Sequence, residues 1–384
     1  MPTGLDPHAF EAAAVRRRLH ELKDEQREID ARLRNLSKEE SDAQAAREAA
    51  PQPVGEETSS KNRLRPTRFA DVVGQNRAKA AMQRVITAAL TRNEALDHAL
   101  LVGPAGTGKT TFANVIANEL GRRMFQVAAP VSMETLLALR EVMEDRDILF
   151  VDEIHMQAVM ERRGKEAMSA PEVFLALLED GVLMTSEGMV SFPAVTVIGA
   201  TTDPGRLPDP FLDRFPLNPR LEDYSQRELA VIAERNATAL GLTLMPGIAE
   251  LFAGAARFTP RVVNNFLRNA ESLAPPDNYI TPFIATEVLE MNQTTHDGLT
   301  REMQGTLRFL YTRCRRERKG DGEVSYSASI NTIATAIGLS RDTKAVQLRV
   351  EPYMLKQGLL QVGSGGRSLT PMGVARALEL LGEK

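Results

Sequence analysis

One stretch constrains this 384-residue chain more than any other: Gly103-Pro104-Ala105-Gly106-Thr107-Gly108-Lys109-Thr110. It fits the phosphate-cradling pattern GxxxxGK[ST]. An apolar run before it, Ala99 to Val102, reads as a short strand, and Thr111 to Leu120 after it reads as a helix. That is the context the pattern requires. Glycines let a backbone wrap around phosphate oxygens, while free N–H groups and the dipole at a helix start favour negative charge. Lys109 is expected to reach the β- and γ-phosphates of a bound nucleotide. Thr110 is expected to offer its hydroxyl to Mg2+.

More strands and helices alternate around the motif. Asn76 to Leu90 reads as an amphipathic helix, Met124 to Ala128 as a strand, Glu134 to Glu144 as a helix and Asp147 to Val151 as a buried strand running into Asp152-Glu153. Ala194 to Ala200 is a further apolar strand, ending in Thr201-Thr202. This alternation predicts an α/β fold with a parallel sheet, whose ligands gather at the strands' carboxyl ends. Lys109, Asp152, Glu153 and Thr202 all fall at such ends. Asp152 suits magnesium, a hard cation that prefers oxygen donors. Glu153 suits the orientation and deprotonation of an attacking water.

Beyond the sheet, 221–298 reads as an all-helical small domain with helices over Tyr224–Leu240, Ile248–Ala256, Pro260–Ser272 and Thr281–Asn292. The last part, 299–384, reads as helices over Leu307–Arg318, Ser329–Ile337 and Lys344–Gln357. A two-stranded hairpin turning at Gly363-Ser364-Gly365-Gly366 and a final helix complete it. That succession describes a winged helix, a common nucleic-acid binder. From Arg301 onward there are 14 Lys and Arg against 8 Asp and Glu, whereas the whole chain carries −4. A basic end on an acidic chain suggests that any polyanion is met there. Arg367, after the glycines of the turn, is the expected phosphate contact.

The other end is different. Residues 1–50 are dominated by Ala, Glu, Arg and Leu, and Val15, Leu19, Leu22, Gln26, Ile29, Leu33 and Leu36 repeat at coiled-coil spacing. This predicts an N-terminal coiled-coil helix that meets a partner or a second copy, the alternatives being a helix packed on its own protein and a largely disordered arm. Residues 51–62 read as a linker, which leaves 63–220 as the ATPase domain. Cys314 is the only cysteine, so neither a disulfide framework nor a cysteine metal site is expected. No apolar run reaches membrane-spanning length, and Met1 to Phe10 lacks a signal-peptide core, so a soluble, cytoplasmic protein without membrane contact is expected.

Two arginines look placed for the charge of phosphoryl transfer. Arg214, just beyond the last sheet strand, suits an arginine finger offered to a neighbouring subunit; the plainer reading is a salt bridge with Asp213 or Asp209. Arg261 follows the cap and first-turn proline Thr259-Pro260, where a cation opposes the helix dipole unless an anion compensates it. His155, directly after the acids, reads more simply as structural than as a ligand.

With these residues in place, the chain from about Arg63 onward resembles the RuvB family of AAA+ motors that drive Holliday junction branch migration. The resemblance rests on Leu64-Arg65-Pro66, Gly103 to Thr111, Leu149 to His155 with its Asp-Glu-Ile-His string, and Gly199-Ala200-Thr201-Thr202. Asp213-Arg214-Phe215, Thr259-Pro260-Arg261 and Glu351-Pro352-Tyr353 extend it. It implies an AAA+ three-layer sandwich with a helical lid, a hexameric ring with ATP at subunit interfaces, and double-stranded or junction DNA met by the wing through Arg367. It also implies Thr202 as sensor one, Arg261 as sensor two, Arg214 as the finger in trans, and adenine held near Val73 and Tyr224. Arg65 and Thr111 join the nucleotide set through the matching stretches.

The chain departs from that family in several places. Gly181 to Pro193 offers only a short turn where the family's long hairpin docks RuvA, so a RuvA-type partner is not implied. Met156 to Pro171 is longer than the family pattern, Leu212 stands for an arginine, and Phe258 stands for a glycine. The coiled-coil arm is foreign to the family. A loader or remodeller of a DNA-bound protein complex is therefore the alternative to a DNA-translocating motor.

Overall fold

A computed structural model of the protein describes residues 50–54, 63–158, 170–185, 188–317, 324–340, 342–363 and 366–382, with the single residues Arg32 and Arg47. The coiled-coil expectation for 1–50 falls outside the described residues apart from Arg32, Arg47 and Ala50, and so does most of the Met156–Pro171 insertion. Contacts divide the described chain into two compact units. One comprises 50–54, 82–102 and 116–219, the other 63–81, 103–115 and 220–382.

The elements of the first two hundred residues are α1 (Asn76–Arg92), β1 (Ala99–Val102), α2 (Lys109–Leu120), β2 (Met124–Ala128), α3 (Met133–Arg140) and β3 (Ile148–Asp152). After these come α4 (Ala170–Asp180), β4 (Val182–Thr185), β5 (Gly188–Ser191) and β6 (Thr196–Thr201). The first unit is built on a parallel sheet of order β1-β6-β3-β2. Leu217 extends it by pairing parallel to Ala99 on the far side of β1. Every residue of β6 is buried and β3 is buried up to Asp152, because a parallel strand covered on both faces needs a continuous apolar run. Register sets Thr201 opposite Val102 and Gly199 opposite Val151. Asp152, Glu153 and Thr202 therefore leave the sheet at one edge.

Two expectations are refined in this unit. Pro53 bridges antiparallel to Phe125, and the Val54 N–H donates to the Met124 carbonyl at 2.7 Å. The start of the expected linker is thus pinned along β2, the outer strand, whose free backbone groups need partners. The short turn expected over 181–193 is a small antiparallel hairpin, with Val182 opposite Ser191 and Thr185 opposite Gly188.

The second unit continues with α5 (Gln226–Ala239), β7 (Thr243–Leu244), α6 (Ile248–Ala255), α7 (Pro260–Leu273), β8 (Tyr279–Ile280) and α8 (Pro282–Met291). This block is not all helical: β7 and β8 pair in parallel. Its apolar core gathers Leu229, Phe252, Val263, Phe266 and Val288. The C-terminal part holds α9 (Arg301–Arg313), β9 (Arg315–Glu317), β10 (Val324–Ala328), α10 (Ile330–Ala336), α11 (Glu351–Lys356), β11 (Leu360–Gly363), β12 (Gly366–Leu369) and α12 (Pro371–Leu381). The expected helix over Leu307–Arg318 stops at Arg313, and the sheet has four strands in the order β11-β12-β10-β9 rather than two. The helix expected over Lys344–Gln357 is a turn at Thr343–Ala345, a π-helical stretch at Val346–Val350 and then α11. Pro352 explains the break, since it has no N–H for the Leu348 carbonyl and would clash with it in a continuous helix. Among the described residues, no helix is long and apolar enough to cross a membrane.

Candidate functional site

The phosphate loop belongs to the second unit. Gly106 and Gly108 have φ of 79° and 97°, where glycine is the default residue. A Cβ on Gly106 would lie 2.4 Å from Thr259 Cγ2, and one on Gly103 would lie 2.6 Å from the Leu221 carbonyl. The loop is therefore packed too tightly for any side chain at either position, and its middle rests on the start of α7. Lys109 opens α2 and is buried, its Nζ donating to the carbonyls of Gly103 at 2.9 Å and Pro104 at 3.1 Å. Thr107 Oγ1 closes the turn on Pro104 O at 2.9 Å. Thr110 and Thr111 follow in the first turn of α2, half-buried.

Cations surround this loop. Arg261 lies in the first turn of α7, beside Gly106, and is exposed. Arg65 is exposed as a residue, yet partial burial of its guanidinium, followed by the charges of Arg268 and Arg261, lowers its pKa. Arg65 thus lies in the field of two further guanidiniums, and Arg268 Nε is buried without a hydrogen-bond partner. Like charges held together in this way suit an anion. Sequence reasoning passed over Arg268; its spacing of two helical turns from Arg261 on α7 was the available signal.

On another side, Tyr224 is buried, its N–H donates to the Phe258 carbonyl at 3.2 Å, and burial pushes its hydroxyl pKa up. Val73 packs against the same core cluster as Tyr224. Gln75 holds both segments, accepting from Glu222 N at 2.9 Å and donating to Glu222 O at 2.7 Å. Val73, Tyr224, Arg65 and Arg261 are therefore gathered in the unit that carries the loop.

The acids belong to the first unit. Ile154 N–H donates to Ala200 O at 2.8 Å, and a Cβ on Gly199 would come within 2.9 Å of Ile154 Cδ1, so the turn after β3 is seated on β6. Glu153 is held at φ 48°, a left-handed conformation that disfavours a glutamate. Its Oε2 accepts from the Thr202 N–H at 3.2 Å and from Thr202 Oγ1 at 2.9 Å. Asp152 Oδ1 accepts the Glu153 N–H at 3.1 Å. His155 is buried beneath them, with Nδ1 3.0 Å from Thr201 Oγ1 and 3.3 Å from Glu153 Oε2. Its place is that of a buttress for the strand ends, in line with the structural reading.

Both remaining arginines are engaged. Arg214 pairs with Glu179 at 2.5 Å, rather than with Asp213 or Asp209, and also donates to Pro210 O at 3.2 Å. Arg367 requires a correction. It is not a loop-tip residue with little packing: it lies within β12, opposite Val362 and Ala328. Its Nε and Nη2 donate to the two carboxylate oxygens of Glu351 at 2.5 and 3.2 Å. The glycines before it shape the turn, while the strand carries its side chain back onto α11.

Residues 64–221 match the family model of the Holliday junction DNA helicase RuvB P-loop domain, and 324–377 match the RuvB C-terminal winged helix domain. The chain is 35% identical over 336 residues to the Holliday junction branch migration complex subunit RuvB of Parasynechococcus marenigrum, spanning 85% of this chain and 93% of that protein. It is 34% identical over 341 residues to the same subunit from Streptococcus thermophilus, spanning 86% and 95%. The solved structure of the Thermotoga maritima RuvB Holliday junction branch migration motor is similar with a TM-score of 0.67 and 26% identity, covering 84% of this chain and 99% of that one.

Proposed function

The chain belongs to the RuvB family, and on that premise we propose that it is an ATP-driven motor that translocates on double-stranded DNA at Holliday junctions, in the cytoplasm. The observation that carries the reading is Glu153, strained at the end of β3 and held by Thr202 from the end of β6. A carboxylate fixed in this way serves a base that must meet one water in one orientation.

ATP is the substrate, and the loop fits it: two glycines admit no Cβ, and Lys109, Arg261, Arg65 and Arg268 supply cations for its phosphates. Gly103, Gly106, Gly108 and Thr111 frame the phosphates, with the adenine against Val73 and Tyr224. In hydrolysis, Glu153 takes a proton from the attacking water while the water's oxygen bonds to the γ-phosphorus and the bond from that phosphorus to the ADP oxygen breaks, ADP leaving with the electron pair. Thr202, as sensor one, fixes Glu153 before attack. Arg261, as sensor two, and Arg214 from a neighbouring subunit neutralise the charge that develops. Magnesium would be held by Thr110 and Asp152, adding positive charge at the phosphates; an ion that shares phosphate oxygens needs only one or two such protein donors. Among the described residues there is no group of three His, Cys, Asp or Glu that could hold a metal by itself. A finger in trans requires a neighbouring subunit, and the family resemblance implies that the assembly is a hexameric ring.

Glu153→Gln tests the reading. It keeps ATP binding, because the amide conserves shape, and lowers turnover by about a hundredfold or more, because the base is lost. Near-normal hydrolysis would remove Glu153 from this role.

A further inference from the structure

Phe258 stands where the chain departs from the family pattern, and its backbone is unusual. With φ of 61° it follows Arg257 at 51°, two consecutive residues in the left-handed region that a Cβ disfavours. Such strain persists where the surroundings over-determine it. Here they do so from both sides. The ring packs on Tyr353, with centroids 5.6 Å apart and planes at 47°, and the Lys356 ammonium lies 4.6 Å from its centre. Lys356 also pairs with Asp223, the neighbour of Tyr224. The Phe258 carbonyl accepts the Tyr224 N–H at 3.2 Å, and the next residue is Thr259, whose methyl fills the space beside Gly106.

Tyr353 and Lys356 both lie on α11, whose first residue, Glu351, holds Arg367 of the wing strand β12. The Tyr353 hydroxyl is itself fixed, donating to Asp297 O at 2.6 Å. Contacts therefore run without a gap from the wing, through α11 and the Phe258 ring, to the phosphate loop, to Tyr224 and to the turn that carries Arg261. Phe258 is half-buried and packs against the apolar core of the C-terminal part.

We propose that Phe258 is a positioning residue that couples the winged helix to the nucleotide pocket, so that DNA held by the wing changes nucleotide affinity and nucleotide changes DNA affinity. The inference rests on the motor reading above. A displacement of α11 moves the ring, and the ring is one peptide bond from the first turn of α7. Besides the ring, α11 meets that turn through the flexible side chain of Lys356 and through Tyr353 near the Arg257 side chain.

The test measures binding of a fluorescent non-hydrolysable ATP analogue with and without saturating duplex DNA. The wild type is expected to show a change of about fivefold or more, with the same factor appearing in duplex affinity when the analogue is present, since such coupling is reciprocal. Phe258→Gly, which restores the residue of the family pattern and relieves the left-handed conformation, lowers that factor severalfold while each ligand alone still binds. Phe258→Tyr, which keeps the ring, keeps the coupling. Tyr353→Leu removes the other face of the contact and reproduces the loss, so the result does not depend on one variant folding. Undiminished coupling in folded Phe258→Gly overturns the proposal, as does a wild type that binds both ligands independently. A wild type with no affinity for duplex DNA overturns the motor reading and this proposal with it.

Discussion

Two arginine–carboxylate pairs, one at the rim of the sheet and one in the wing, look alike in chemistry and differ in burial. Arg214 and Glu179 keep 28% and 55% of their side-chain surface exposed, whereas Arg367 and Glu351 keep 16% and 8%. An exposed pair contributes little, because water screens it, and is readily exchanged for another partner. A buried pair resists the loss of one member, because the remaining charge has neither water nor counter-ion. Arg214 is therefore held loosely enough to be given to an incoming γ-phosphate. Arg367 is committed to its pair with Glu351, so a phosphate contact through its guanidinium would require Glu351 to be displaced.

The sharpest way to break this comparison is to remove Arg214. Arg214→Ala should lower turnover by about a thousandfold, as expected for an arginine finger, with little change in melting temperature. Mixing it with Lys109→Ala subunits should restore part of the ATPase at interfaces where both groups are intact. Background activity in confirmed mixed assemblies contradicts a finger in trans. Next in size, Glu351→Ala should destabilise the C-terminal part by about 3 kcal/mol, read by chemical denaturation, since it strands the Arg367 guanidinium. A loss no larger than that of a surface residue would place Arg367 among the exchangeable arginines.

Asp297 and Arg376 fall between the two extremes, with side chains 36% and 16% exposed. Burial by itself would raise the Asp297 pKa, but hydrogen bonds from Thr295 and Arg376 and the charge of Arg376 bring it below its ordinary value. A depressed carboxyl contributes stability above its unfolded pKa and loses it as pH falls through the folded one. Asp297→Asn should accordingly cost about 1 kcal/mol at neutral pH and flatten the acid limb of the stability curve below about pH 4. An unchanged acid limb assigns that limb to other groups. Smallest of all, Glu179→Gln should shift stability by less than about 1 kcal/mol and leave turnover intact or raised. A fall in turnover would make Glu179 part of the site rather than a resting place for the arginine.

The nucleotide side was legible in the sequence because its signals are local. The phosphate loop is one contiguous string, and the acids close an apolar strand whose burial pattern can be read from its letters. The wing was less legible for a physical reason. The glycines before Arg367 announce a turn, but the partner that takes its charge, Glu351, is sixteen residues away and appears only once α11 folds against β12. Arg315–Glu317 forms β9 with no alternating apolar pattern, so only its pairing with β10 makes it a strand. The same holds for Pro53 and Val54, which read as linker until they meet the free edge of β2. Phe258 shows the limit most clearly: as a letter it is only a departure from a family pattern, and its contact with Tyr353 spans almost a hundred residues.

The central claim, that hydrolysis by this chain drives movement along double-stranded DNA, is tested most directly by displacement of a third strand annealed to duplex DNA. With ATP and magnesium, the wild type should release that strand at a rate that rises with ATP, and Glu153→Gln should bind the duplex and release none. Release without ATP, release by Glu153→Gln at the wild-type rate, or DNA-stimulated hydrolysis with no release would contradict a translocating motor, and the last result would favour a loader.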